Sequence, residues 1–173
     1  MIKYRISKYI PQCRDKEGKY LKNDWTSYAD IGKEFDADLL TIEKYIETEK
    51  NYCKVVGAIF LDNNIKSVVV EGLECNFTVE ELNQLLDPKG IRLSSSNMQF
   101  INNLKNGDIV LLDNLEEILS LILRDCFWCK LVSSEQKFVV ECGYDLYVYI
   151  TCSKLSNQTI QQAKMLGIYI ERM

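Results

Sequence analysis

Residues 137–151, KFVVECGYDLYVYIT, decide the fold of this chain because they form its densest run of strand-forming residues. A glycine at position 143 divides the run, which predicts two strands that meet at a tight turn, or one strand with a bulge. In the second half, aliphatic and tyrosine side chains alternate, so each type occupies its own face. Because both faces are apolar or aromatic, we expect a central strand that is covered on both sides. The aliphatic face carries Leu146, Val148 and Ile150, and the other face carries Tyr147 and Tyr149.

The flanking sequence predicts the remaining strands and helices. Apolar alternation and apolar runs predict strands over residues 2–10, 65–71, 109–112, 127–132 and 168–172. Apolar spacing and N-cap residues predict helices over residues 42–61, 79–86, 114–125 and 157–166, capped by Thr41, Thr78, Asp113 and Ser156. A short helix capped by Thr26 or Ser27 is predicted over residues 28–35, and a helical turn over residues 98–104. The order of elements predicts a single α+β domain, residues 1–173, with helices packed on a mostly antiparallel or mixed sheet.

The composition argues against an enzyme. The chain contains no histidine, which removes the commonest general base and the commonest zinc ligand. It also lacks a glycine-rich phosphate loop, a GxSxG motif and a dinucleotide-binding fingerprint. The formal net charge of −4 argues against binding to a phosphate backbone. We therefore expect a protein that is not an enzyme, uses no metal or other cofactor, and does not bind nucleic acid.

The chain shows no targeting or membrane signal. Its first residues, MIKYRISKYIPQ, carry charges at short intervals and lack the apolar stretch of a signal peptide. No run approaches the roughly 20 apolar residues of a membrane helix. The seven cysteines fit buried thiols in a reducing compartment. These features predict a cytoplasmic protein with no membrane partner.

Two alternative functions remain open at this point. Cys126 and Cys129 form a CxxC motif that could serve a thiol-dependent redox enzyme. However, the first cysteine of a redox motif usually lies at a helix N-terminus, whereas Cys126 is predicted to follow a helix. The other alternative is a regulatory module that binds a small ligand in a tyrosine-rich cleft of the sheet.

The charge layout points to the N-terminal part of the chain. Residues 1–22 carry a net charge of +5, whereas residues 24–50 carry a net charge of −5. An acidic face that also presents aromatic side chains could dock a basic protein. The alternatives are an ordinary solvated surface, with Trp25 in the core, and a metal or acid/base pair of Asp30 and Glu34 on one helix face. The proposed docking residues are Asp24, Trp25, Asp30, Glu34, Asp36 and Asp38.

Two parts of the sequence resemble a known family. The N-terminal segments MIKYRISKY and KNDWTSYADIG resemble the opening of small bacterial immunity proteins from contact-dependent growth inhibition and related polymorphic toxin systems. The later segments CFWCKL and FVVECGYDLYVYI resemble strands of the same family. The resemblance implies a cytoplasmic inhibitor that binds one cognate toxin domain, often a nuclease, and has no catalytic residue. A nuclease toxin is expected to be basic. Tyr144 and Asp145 are secondary candidates for contact, at the bend of residues 137–151.

Overall fold

A seven-stranded antiparallel sheet forms the centre of the protein, in a computed structural model that describes residues 1–133, 135 and 137–173. Its strands follow the spatial order β5-β4-β6-β7-β8-β1-β9, and every neighbouring pair is antiparallel. The strands are β1 (Ile2–Ser7), β4 (Ser67–Glu74), β5 (Ile109–Leu111), β6 (Trp128–Val132), β7 (Val139–Cys142), β8 (Val148–Cys152) and β9 (Tyr169–Arg172). A separate hairpin consists of β2 (Glu34–Phe35) and β3 (Asp38–Leu39).

Residues 137–151 supply β7 and β8, the fourth and fifth strands of the sheet. Of the two predicted arrangements, the pair of strands is therefore correct. Val140 lies opposite Ile150 in this pair, and both side chains are buried. Gly143 follows β7 where the chain passes close to the ring of Tyr149. A Cβ atom at position 143 would lie 3.0 Å from that ring, so a side chain there would require the ring to move by a few tenths of an ångström.

The prediction that both faces of β8 are covered is correct for one face, whereas the second face is only partly covered. Val148, Ile150 and Cys152 lie in the core, whereas Tyr149 and Thr151 are half-buried. Neighbouring strands place charged side chains on the face that carries Tyr149 and Thr151. Because these groups are polar, this face can remain in contact with water. The cross-strand ion pairs there are Lys3–Glu141 at 3.1 Å, Lys130–Glu141 at 2.8 Å and Arg5–Glu171 at 3.0 Å. The sheet thus has one apolar face and one polar face, as is common for antiparallel sheets.

Five α-helices occur in the described residues, and the predicted ones begin close to their expected positions. Thr41, Thr78 and Ser156 cap their helices as predicted. The predicted turn at residues 98–104 belongs to a helix that Ser94 caps. The helices are α1 (Ile42–Asp62), α2 (Val79–Leu86), α3 (Ser95–Asn103), α4 (Leu115–Leu123) and α5 (Asn157–Met165). The α+β fold class is therefore confirmed.

Two local predictions are wrong. Asp113 does not cap α4, since the helix follows a 3₁₀ turn (Leu112–Asn114) and has no side-chain cap. Residues 28–35 do not form one helix either. A 3₁₀ turn (Tyr28–Asp30) capped by Ser27 is followed by the β2–β3 hairpin, because local turn chemistry outweighs helix propensity over so short a segment.

No helix in the described part of the chain combines the length and the apolar character needed to cross a bilayer.

A buried ion pair joins α1 to α4. Arg124 donates to both carboxylate oxygens of Glu49, at 2.8 and 2.5 Å. Burial raises the pKa of Glu49, and the hydrogen bonds from Arg124 oppose this shift. The hydroxyl of Tyr45 also donates to the carbonyl of Leu123 at 3.0 Å. These bonds fix the end of α4 against the first turns of α1.

Glu49→Ala should lower the free energy of unfolding by about 3–5 kcal/mol, because it leaves the Arg124 guanidinium buried without its partner. Urea denaturation of the purified variant measures this change. Asp38→Ala is the control, since it removes the ion pair of Asp38 with Lys44, whose side chains are exposed. Equal effects of the two substitutions would contradict the structural role of Glu49.

Candidate partner-binding surface

One end of the sheet brings together the predicted contact residues of distant segments. This end, here called the acidic end, consists of residues 24–30, Asp125, and the loop of residues 143–147 between β7 and β8. The hydroxyl of Tyr9 donates to the carbonyl of Asp145 at 2.8 Å and lies 3.3 Å from the carbonyl of Trp25. Tyr9 is only 3% exposed. It therefore links the N-terminal segment to the β7–β8 loop from inside the protein.

A second buried tyrosine holds the same loop. The hydroxyl of Tyr52 donates to the carbonyl of Leu146 at 2.7 Å and accepts from the backbone N–H of Lys8 at 2.7 Å. Asp145 and Leu146 both have φ near +57°, in the left-handed region. Such a conformation is unfavourable for leucine and persists because neighbouring contacts stabilise it. The loop is therefore fixed, and it presents Tyr144 with 94% of its surface exposed.

Asp24 and Asp30 make contacts within the protein. Asp24 forms an ion pair with Lys8 at 2.8 Å, and the Lys8 ammonium group lies 4.1 Å from the centre of the Trp25 ring. Burial lowers the pKa of Lys8 to about 8, and Asp24 opposes this shift. Asp30 accepts from the Thr26 backbone N–H and from Lys33, both at 2.8 Å. These carboxylates thus shape the segment before α1.

Asp30 is too enclosed to act as a freely exposed carboxylate. Partial burial by itself raises the pKa of Asp30, but its bonds to Lys33 and Thr26 lower it below the ordinary value. The expectation that Asp30 and Glu34 share a helix face is wrong, since Asp30 ends a 3₁₀ turn and Glu34 begins β2. This arrangement removes the structural basis for a metal or acid/base pair on one helix face.

Trp25 is half-buried against the core. Its ring centre lies 5.7 Å from that of Tyr45. For the buried part of this side chain, the structure therefore agrees with the alternative in which Trp25 packs on the core.

The β2–β3 hairpin carries the most accessible carboxylates of the predicted set. Asp36 and Ala37 both have positive φ, at 50° and 64°, which gives the tight turn that suits a twisted hairpin. Glu34, Asp36 and Asp38 are all exposed. Of these, Asp38 pairs with Lys44 at the start of α1. Glu34 and Asp36 are consequently the exposed charges of the hairpin.

Tyr144 stands between two clefts that were not predicted. The smaller cleft, of about 180 Å³, lies between Tyr144 and the Thr26–Ser27 segment. The larger cleft, of about 600 Å³, extends from Tyr144 to Phe77 and Trp128. Asp125 lines both. No sequence pattern distinguishes Asp125 from any other acidic residue that follows a helix, because its position depends on the packing of α4 against α1.

The tyrosine-rich face, the alternative site for a small ligand, is occupied by side chains of the protein. Arg14 lies 5.4 Å from the ring centre of Tyr147 and donates to its hydroxyl at 3.0 Å. The ring of Tyr9 packs on Tyr147 with a centroid distance of 5.1 Å. Arg14 also pairs with Glu171 at 3.3 Å. These contacts place side chains of the protein itself over the ring of Tyr147.

The CxxC thiols are buried. Cys126 and Cys129 lie in the core, and burial raises the pKa of each to about 12. A redox cysteine needs the opposite shift, toward the thiolate. All seven cysteines are free thiols. Among the described residues, no group of three or more metal-ligating side chains is placed to hold a metal ion.

Comparison with protein-family models, curated proteins and solved structures finds no match to this chain.

Thiol labelling of the native protein should modify Cys75, which is exposed, and the partly exposed Cys13. The other five cysteines should react only after unfolding, because they are buried. Titration with a chromogenic disulfide reagent near pH 8, with and without denaturant, measures this difference. Rapid native labelling of Cys126 or Cys129 would instead favour the redox alternative.

Tyr9→Phe should lower the free energy of unfolding by about 1 kcal/mol, since it removes the hydrogen bond from the buried Tyr9 side chain to the Asp145 carbonyl. It should also accelerate amide hydrogen exchange in residues 144–147. Tyr4→Phe is the matched control, because its hydroxyl forms no hydrogen bond with a described residue. Exchange rates that stay at the wild-type value in Tyr9→Phe would contradict a fixed loop.

Proposed function

We propose that this protein is a bacterial immunity protein that binds a cognate toxin domain and neutralises it by stoichiometric blocking. The observation that carries the proposal is the acidic end, where an exposed Tyr144 on a loop with a held backbone lies near the carboxylates of Glu74, Asp125 and Asp145. The resemblance of residues 1–9, 22–32, 126–131 and 138–150 to immunity proteins of contact-dependent growth inhibition supports the same function.

The charge of the acidic end suits a basic toxin. A toxin domain that acts on nucleic acid needs a positive surface for its substrate. Complementary charges raise the rate of association and align the partners before close contact. Glu34 and Asp36, on the exposed hairpin, are best placed for this steering. We therefore propose a nuclease domain as the toxin, with its substrate surface as the part that is covered.

The exposed side chain of Tyr144 suits an anchor for binding, because the loop backbone that carries it is held in place. Exposed tyrosines often contribute a large part of the binding free energy at protein interfaces. The loop that carries Tyr144 is already held by Tyr9 and Tyr52, so little conformational entropy is lost on association. We propose that Tyr144 contributes affinity and that the hairpin carboxylates contribute the association rate.

The proposed site of action is the cytoplasm, where a nuclease toxin reaches its substrate. The seven free thiols agree with a reducing compartment. Inhibition by blocking also requires no catalytic group. The buried, protonated thiols of Cys126 and Cys129 support this reading over a redox enzyme.

Co-expression with the toxin domain encoded beside the gene tests the proposed function. The protein should restore growth and should co-purify with the toxin in a fixed ratio. If growth is not restored and no complex forms, the immunity proposal is wrong.

The double substitution Glu34→Lys/Asp36→Lys should slow association with the toxin by on the order of tenfold at low salt. It should also make the association rate less dependent on salt. Stopped-flow or surface-based kinetics across a salt series measures both effects.

Asp113→Lys/Glu135→Lys is the matched control. It changes the net charge by the same amount, but both residues lie at the opposite end of the sheet, beyond β5 and β6. If the control slows association equally, only the total charge matters and the hairpin is not part of the docking surface.

A further inference from the structure

The larger cleft beside Tyr144, here called the Trp128 cleft, has aromatic walls and an acidic rim. Phe77 and Tyr144 border it with 43% and 94% of their surfaces exposed, and Trp128 is half-buried between them. Glu74 and Asp125 provide its charged groups. These residues come from the end of β4, the segment before α2, the turn after α4, β6 and the β7–β8 loop.

The orientation of the Trp128 ring is fixed. Its indole N–H donates to the carbonyl of Cys142 at 2.5 Å. On the other side, the ring lies next to Gly72, where a Cβ atom would be 3.6 Å away. Gly72 has a φ of +63° and lies within the register shift that places Glu74 opposite Trp128. The bulge in β4 thus places Glu74 opposite Trp128, and both residues line the cleft.

The carboxylates of the cleft are not neutralised from within the protein. Asp125 and Glu74 form no hydrogen bond or ion pair with a described side chain, and no lysine or arginine lines the cleft. Arg124 is adjacent in sequence, but its guanidinium is bound to Glu49. Partial burial raises the pKa of Asp125, as expected for a carboxylate that lacks a cation.

Several other carboxylates of this protein have a cation. Asp24 pairs with Lys8, Asp30 with Lys33, and Glu141 with Lys130. The Trp128 cleft, in contrast, combines two carboxylates with aromatic rings and has no lysine or arginine in its lining.

We infer that the Trp128 cleft binds an arginine side chain of the partner protein. The guanidinium would stack on an aromatic ring and donate to the Asp125 carboxylate. Arginine fits better than lysine because its flat guanidinium both stacks and donates from a rigid edge. The volume of about 600 Å³ exceeds one side chain, which leaves room for the backbone that carries it. This inference rests on the proposed function only in assigning the arginine to a toxin.

A short arginine peptide tests the cleft without a toxin. Acetyl-Gly-Arg-Gly amide is titrated into the ¹⁵N-labelled protein, and the indole resonance of Trp128 and the amides of Asp125 and Tyr144 are followed. These signals should shift with saturation at millimolar peptide. The citrulline analogue, which keeps the shape and loses the charge, should bind about tenfold more weakly.

Asp125→Asn and Asp113→Asn form the matched pair of variants. Asn tolerates the positive φ of Asp125, so the fold should be retained. Asp125→Asn should reduce peptide affinity about tenfold, and Asp113→Asn should leave it unchanged. Equal binding of the arginine and citrulline peptides, equal affinity of both variants, or no shift at Trp128 would each overturn the inference.

The results also separate this inference from the proposed function. If co-expression protects cells but the peptide does not bind, the arginine site is wrong and the immunity proposal stands. If the peptide binds at Trp128 but no toxin is neutralised, the site is real and its partner is of another kind.

Discussion

The burial of only one face of the seven-stranded sheet is the constraint on which the rest of the structure depends. Alternate side chains of β1, β4, β6, β7 and β8 enter a single core with α1 and α4. The opposite face carries cross-strand ion pairs and tyrosine side chains. Because side chains alternate strictly, a one-residue slip in register would exchange the two faces, so the apolar pattern fixes the register.

Ion pairs determine which carboxylates keep an uncompensated charge. Lys8 binds Asp24, Lys33 binds Asp30, and Arg124 binds Glu49. The charges of these carboxylates are compensated within the protein. Glu34, Asp36 and Asp125 form no ion pair with a described residue, so their charges are not compensated in this way.

Rigidity at the acidic end also has an internal origin. Tyr9 and Tyr52 reach the backbone of the β7–β8 loop from the core side, and they stabilise two consecutive residues with positive φ. Loops held only by their own turn geometry are commonly more mobile. Here the position of Tyr144 depends on Tyr9 and Tyr52, which are more than 90 positions away in the sequence. The bend at Gly143 could therefore be predicted from the local sequence, but the hydrogen bonds that hold the loop could not.

The sequence by itself determined the strands of residues 137–151, the long helix after Thr41 and the caps at Thr78 and Ser156, because these depend on spacings of two to four residues. It also located an acidic segment with exposed charge at Glu34 and Asp36. Only the tertiary structure decided that Asp24 and Asp30 are paired internally and that Asp125 lies beside Tyr144. The physical reason is that ion pairing and cleft formation depend on distances between remote segments, which local residue patterns do not encode.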